Sequence, residues 1–400
     1  MSKINLKEAE ELLDFIIDTN KGLNDQGLTS VSVSFVGTQG IGKTAVVSQV
    51  AEKRNMNFVK LSLHELEEVG DLVGYPMKEF QIINKQTKNA TWVAESMLDS
   101  VNKERWNITP RSRMSYAKPA WVPEFNENGT VLLLDDYARS SQMLIQATME
   151  LINTGKYMSW SLPKYTTVVL TANPDNGEFN VQSLDDAQKD RFIEFELCFD
   201  IKDWARWAEY SNIDGRAINF AISYSNELFK PNNNVTIATP RGYVTFCKAI
   251  SGIKDWGADL KRILLISKGC FNDKDNAVGH IFTTFINNGY DKLISPNDIF
   301  EKSWPVVHKK LMDSIWKDGD KCHASIASML STRIVNWLDA YFDKPGYVSA
   351  PINDRLKEMF EHRVFPEDLM FFIIKSVVSK HPKQCAKLVQ DPDIISKITL

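Results

Sequence analysis

Long hydrophobic runs are missing from this 400-residue chain. The apolar stretch "LMFFII" at 369–374 is among the longest, where a bilayer-spanning helix needs about 20 residues. No membrane span is therefore expected. The N-terminus "MSKINLKEAEELL" has neither the apolar segment nor the small-residue cleavage site of a signal peptide. Cysteine is scarce: Cys198, Cys247, Cys270, Cys322 and Cys385 are scattered, odd in number, and none sits in a C-x-x-C pair. The six histidines are equally dispersed, so neither a disulfide framework nor a zinc cluster is indicated. A soluble, cytoplasmic protein of a reducing compartment is the expectation. Charge of one sign is also lacking. Forty-seven basic and 51 acidic side chains leave a net charge of -4, which gives no overall pull toward nucleic acid or an anionic membrane. With 43% hydrophobic residues, the remaining composition is that of an ordinary globular chain, too long for one core.

What is present is an ordered alternation. Residues 5–21 read as an amphipathic helix, with Asn5 as N-cap, Glu8 three residues on, and Gly22 ending it. Short apolar, β-branched runs follow at 31–36, 58–61, 130–134, 167–171 and 193–197, as strands buried on both faces require. Helical patterns at 43–53 and 141–154 lie among them, so the first half is an α/β unit with a parallel sheet flanked by helices. After residue 200 only helical patterns remain: 202–211, 217–229, 240–252, 257–268, 275–287, 321–343 and 366–380. The expected division is an α/β domain at 1–200, a helical domain at 201–290 and a helical C-terminal domain at 291–400.

The run at 31–36 leads directly into Gly37, Thr38, Gln39, Gly40, Ile41, Gly42, Lys43 and Thr44, followed by Ala45, satisfying G-x-x-x-x-G-K-[ST]. Glycines let backbone N–H groups turn inward around phosphates at the positive end of the next helix. Lys43 supplies a cation, and the Thr44 hydroxyl suits Mg²⁺. Nucleotide binding follows. The run at 130–134 ends in Asp135 and Asp136. One carboxylate at a strand end can hold Mg²⁺, and a second can orient or deprotonate an attacking water. The next strand ends in Thr171-Ala172-Asn173-Pro174, an Asn-Pro turn whose amide could reach a γ-phosphate or water. Arg191 precedes the last strand, and Arg241 follows Pro240 at a helix start; each alone reads as a surface arginine.

In this order, the motifs resemble an AAA+ ATPase of the MoxR-like family. "DLVGYP" (71–76) looks like that family's motif after its second strand. The segment 118–151 resembles its Walker B region, 171–192 its sensor 1 and arginine-finger stretch, and "TPRGY" (239–243) its sensor 2. The resemblance covers about residues 28–250. It implies an AAA+ core, an all-helical lid and a helical C-terminal extension. It also implies ATP and Mg²⁺ as cofactors, with Lys43 and Thr44 on phosphate and metal and Asp135 completing the metal site. Asn173 would be sensor 1, Arg191 a finger acting in trans, and Arg241 the lid arginine. A homo-oligomeric, hexameric ring and a remodelled protein partner, often one with a von Willebrand factor A domain, are implied as well. Two positions depart from the family. Asp136 stands where a Glu is usual, implying slower hydrolysis or an extra water, and Ala138-Arg139 replaces Asn-Arg.

Three surfaces complete the reading. Residues 75–95 read as a hairpin turning at Lys85 to Asn89, and 156–167 as a second whose Tyr157, Trp160 and Tyr165 pack it down. Residues 103–118 form the best basic patch, with Arg111 and Arg113, expected as a solvated loop or inter-subunit contact. Trp204 and Trp207 are expected to pack the lid onto the α/β core. The rival functions are a nucleic-acid motor or phage-type packaging or replication ATPase, for which that basic patch would serve, and a slow-hydrolysing nucleotide switch or structural ring, motivated by Asp136.

Overall fold

A computed structural model describes residues 2–174, 185–230, 237–271, 277–317, 321–344, 346–392 and 394. The chain divides into two compact units, Met1–Cys198 and Phe199–Leu400. Residues 175–184, the middle of the expected sensor 1 and arginine-finger stretch, lie outside the described residues.

The first unit is a parallel sheet flanked by helices, with an AAA P-loop fold. Its strands are β1 (Ser2–Ile4), β2 (Ser32–Val36), β3 (Asn57–Ser62), β7 (Thr130–Asp135), β10 (Thr166–Ala172) and β11 (Phe192–Leu197). They run in the order β1-β11-β2-β10-β7-β3, all pairs parallel. Every residue of β2 and β10 is buried, so Ser32 and Ser34 of β2 and Thr166, Thr167 and Thr171 of β10 lie inside alongside the apolar side chains. Helix α1 (Leu6–Asp25) packs on α2 (Lys43–Lys53) and β10, and α2 packs on β3, β7 and β10. Short α3 (Val69–Val73) and α4 (Gln142–Thr154) contribute to a cluster in which Leu132, Leu134, Val168 and Leu170 meet Leu144, Ile145, Leu151 and Ile152.

The capping box of α1 forms as expected, Asn5 Oδ1 accepting the Glu8 N–H at 2.8 Å and Glu8 Oε2 accepting the Asn5 N–H at 2.8 Å. The helix runs past Gly22, however. The left-handed closing residue is Gly27 (φ 76°), where the Leu28 N–H bonds back to Leu23 O at 2.9 Å.

A second sheet is inserted after α3. Strands β4 (Pro76–Asn84) and β5 (Ala90–Ala94) form the expected hairpin, and β6 (Trp106–Tyr116) pairs antiparallel with β4. The basic stretch 103–118 is expected as a solvated loop or an inter-subunit contact; most of it is this strand rather than a loop. Ile108 and Tyr116 are partly buried, whereas Pro110, Arg111 and Arg113 stand exposed on an edge strand, where charge and proline deter further pairing. The small hairpin β8 (Lys156–Tyr157) and β9 (Trp160–Ser161) is held by packing: Tyr157 meets Tyr116 edge-on at 5.8 Å, and Trp160 donates to Val73 O at 2.9 Å. A short α5 (Asp186–Lys189) precedes β11.

The second unit is almost wholly helical. It comprises α6 (Ile201–Tyr210), α7 (Gly215–Ser223), α8 (Ser225–Phe229), α9 (Pro240–Ile250), α10 (Leu260–Cys270) and α11 (Ala277–Asn287). These are followed by α12 (Pro296–Glu301), α13 (Trp304–Ile315), a two-residue ribbon β12 (Trp316–Lys317) and β13 (Lys321–Cys322), then α14 (Ala324–Phe342), α15 (Ser349–Glu361), α16 (Glu367–Lys380) and α17 (Ala386–Val389). One apolar cluster spans Trp204 to Phe285 and another Ile294 to Ile394. The ring partners of Trp204 are Trp207, Phe229 and Tyr243, all of this unit, so Trp204 builds the unit's own core. The two clusters are joined by an ion pair: Arg333 of α14, 2% exposed, reaches Glu209 of α6 at 2.7 Å and Asn219 of α7 at 3.0 Å.

Truncating one member of a buried pair strands the other charge. Arg333→Ala should therefore destabilise the second unit by about 3–5 kcal/mol, and adding Glu209→Ala should cost much less than a second such loss. Urea unfolding of the single and double variants checks this; additive losses would contradict a coupled pair.

Candidate active site

Strand β2, the fully buried strand between β11 and β10, delivers the loop 37–42, and α2 begins at Lys43. Gly42 sits at φ 113°, a conformation closed to other residues, and a Cβ there would also meet Leu6 at 3.2 Å. A Cβ on Gly37 would meet Leu197 O at 3.1 Å, so the loop enters tight against β11. The 11-residue α2 directs its free N–H groups and positive dipole end into this loop, an arrangement suited to phosphate.

Lys43 is buried at 7% exposure. Its Nζ donates to Gly37 O at 2.6 Å, to Thr38 O at 3.2 Å and to Asn173 Oδ1 at 2.9 Å. The lysine is thus aimed across the loop and tied to the tip of β10. Asn173 donates in turn toward Asp136 Oδ1 at 3.4 Å, and Asp136 Oδ2 lies 3.5 Å from Arg139.

Asp135 closes the network from β7. Its Oδ1 accepts Thr44 Oγ1 at 3.0 Å and Thr171 Oγ1 at 2.6 Å, while Oδ2 pairs with Lys60 Nζ at 2.8 Å. Burial pushes the Asp135 carboxyl upward, but hydrogen bonds from Lys60, Thr171 and Thr44 outweigh it and hold the group below its ordinary value. A depressed carboxylate contributes stability above its unfolded-state value and loses it as pH falls, so Asp135 is ionised throughout the neutral range. A hydroxyl and an ionised carboxylate in hydrogen-bond contact form an oxygen ligand pair that fits Mg²⁺. Thr44 and Asp135 are the residues that would hold it.

Asp136 adopts a left-handed backbone, φ 50° and ψ 40°, with its N–H donated to Thr171 Oγ1 at 3.2 Å. The turn 137–139 that follows is rooted by Tyr137, which is 1% exposed and whose phenol burial pushes up to about 12. Ala138 joins Val36 and Ala172 in a small apolar contact, while Arg139 turns back to Asp136.

The site residues expected from the sequence thus fall into two groups. Lys43, Thr44, Asp135, Asp136 and Asn173 are brought together. Arg191, beside β11, donates to Ala187 O and makes no hydrogen bond or ion pair to them in the structure. Arg241 lies exposed in the first turn of α9, in the second unit, with Thr239 as its N-cap. Lys60 and Thr171 were missed. Parallel register places Ser62 opposite Asp135, and Lys60, two residues earlier, shares that face. A lysine inside the apolar run 58–61 was the available signal.

Residues 33–105 match the sequence profile of the ATPase family associated with various cellular activities (AAA), under a fifth of the chain but including the phosphate loop. With the sheet and the loop geometry, the match supports an AAA+ ATPase. No curated protein matches the chain. Among solved structures that align with it, a Thermotoga maritima RuvB variant is 17% identical, covering 74% of this chain and 81% of that one with a TM-score of 0.37. The Thermotoga maritima RuvB Holliday junction branch migration motor is 14% identical, covering 73% and 78% with a TM-score of 0.35. A Cytophaga hutchinsonii protein described as a candidate ATPase is 15% identical, covering 98% and 88% with a TM-score of 0.30. Among the described residues no helix is long and apolar enough to cross a membrane.

The left-handed backbone at Asp136 yields a test separate from catalysis. Asp136→Gly should unfold within about 1 kcal/mol of wild type, whereas the β-branched Asp136→Val should lose about 1–2 kcal/mol more. Thermal unfolding followed by circular dichroism measures both; equal losses would contradict a conformational constraint at this residue.

Proposed function

We propose that the chain is a MoxR-like AAA+ ATPase that hydrolyses ATP with Mg²⁺ at sites shared between subunits of a hexameric ring and remodels a partner protein. The observation that carries the reading is the single network in which Lys43, Thr44, Asp135, Asp136 and Asn173 converge on the phosphate loop. Lys43 and the N-terminus of α2 bind the phosphates, and Asn173 orients Lys43 and Asp136. Asp136 positions and deprotonates the attacking water. Bound at Thr44 and Asp135, Mg²⁺ would neutralise charge on the phosphates. Arg191 acts on the neighbouring subunit's nucleotide as an arginine finger, and Arg241 takes the sensor 2 role. A cation in the first turn of α9 opposes the helix dipole, an unfavourable placement that an anion would relieve.

Residues 1–200 are the nucleotide-binding domain, 201–290 the lid and 291–400 a C-terminal domain. The two apolar clusters on either side of about residue 290 support the second boundary. The partner is of the class carrying a von Willebrand factor A domain.

Lys43→Ala should abolish binding of fluorescent ATP, and retained binding would remove the phosphate-loop assignment. Arg191→Ala should bind ATP normally yet turn it over about 10³-fold or more slowly. Mixing Arg191→Ala with Asp135→Ala subunits should restore part of the activity, because each interface type can supply what the other lacks. Absence of rescue at every ratio would contradict shared sites.

A further inference from the structure

Asp135 is half of the metal-binding pair, yet its second oxygen is already engaged. Oδ1 faces the hydroxyls of Thr44 and Thr171, while Oδ2 pairs with Lys60 Nζ at 2.8 Å. The sheet builds this contact. Ser62 is the register partner of Asp135 on the neighbouring strand, and Lys60 lies two residues back on the same face. The carboxylate is buried to 14% side-chain exposure, whereas the lysine side chain is 44% exposed and free to swing toward solvent. A fixed anion is therefore matched with a movable cation at the point where a metal–phosphate complex would land.

We infer that Lys60 is a built-in counter-ion for Asp135, which lets the site hold nucleotide without metal and admits a divalent cation only in competition with the lysine ammonium. This inference rests on the nucleotide-binding reading above. Without Lys60, the Asp135 charge would face the incoming phosphates uncompensated, and metal-free nucleotide would be repelled. The same carboxylate would then be open to a divalent cation. Lys60 is in this sense a positioning residue: it sets the order and metal dependence of nucleotide binding and touches no reacting atom.

The test is titration of fluorescent ATP into the full chain, first in EDTA and then against increasing Mg²⁺, for wild type, Lys60→Met and Lys60→Arg. Lys60→Met keeps the aliphatic stem, and the partly exposed position tolerates it without loss of fold. In EDTA, Lys60→Met should bind ATP roughly twofold to fivefold more weakly than wild type, the order of one partly exposed ion pair. Its half-saturating Mg²⁺ concentration should fall by a similar factor. Lys60→Arg should follow wild type in both respects. Direct Mn²⁺ binding by electron paramagnetic resonance should give the same order of metal affinities. If Lys60→Met binds ATP with the metal dependence of wild type, this inference is overturned while nucleotide binding stands. If wild type binds no ATP with or without Mg²⁺, the nucleotide reading is overturned and this inference with it.

Discussion

Four elements meet at one carboxylate. Asp135 ends β7, and its two oxygens gather Thr44 from α2, Thr171 from β10 and Lys60 from β3. The parallel order of the sheet makes this possible, because only parallel strands bring their carboxyl ends to a common edge, where ligands of open α/β sheets bind. The phosphate loop after β2, the acids after β7 and Asn173 after β10 all emerge there. A second chain of contacts, from Lys43 through Asn173 to Asp136, binds the loop to the second acid at the end of β7. The site is pre-organised by hydrogen bonds that the sheet order dictates.

Asp136 illustrates how that order is coupled to conformation. The left-handed turn directs its carboxylate back toward Asn173 and Arg139, while the buried Tyr137 fixes the turn from below. An aspartate tolerates this backbone better than most residues, since its short polar side chain bonds locally. The conformation gives the position a physical reason for aspartate that length relative to glutamate does not supply.

Much of this was legible in the sequence. The strands buried on both faces declared themselves as apolar runs, the glycine-rich loop fixed the phosphate site between a strand and a helix, and Asn5 with Glu8 announced the first helix. What escaped depended on partners distant in sequence. Strand β1 is three residues long and exists because Ile4 and its neighbours pair with β11. Strand β6 is mostly polar and is ordered by pairing with β4. Helices α12 and α13 carry Pro296 and Pro305 in their first turns, where proline starts a helix although it reads as a breaker. Lys60 became meaningful only through the register of β3 on β7. Likewise, no periodicity indicates that Arg333 clamps α14 to α6 and α7, since both of these partners lie more than a hundred residues away in sequence.

The most direct measurement is steady-state ATP turnover with Mg²⁺ across a range of protein concentrations, beside Lys43→Ala. Specific activity should rise with concentration as neighbouring subunits complete each site, and Lys43→Ala should remain at background throughout. Turnover by wild type that matches Lys43→Ala at every concentration, with nucleotide bound, would contradict an ATP-hydrolysing site and leave a nucleotide switch in its place.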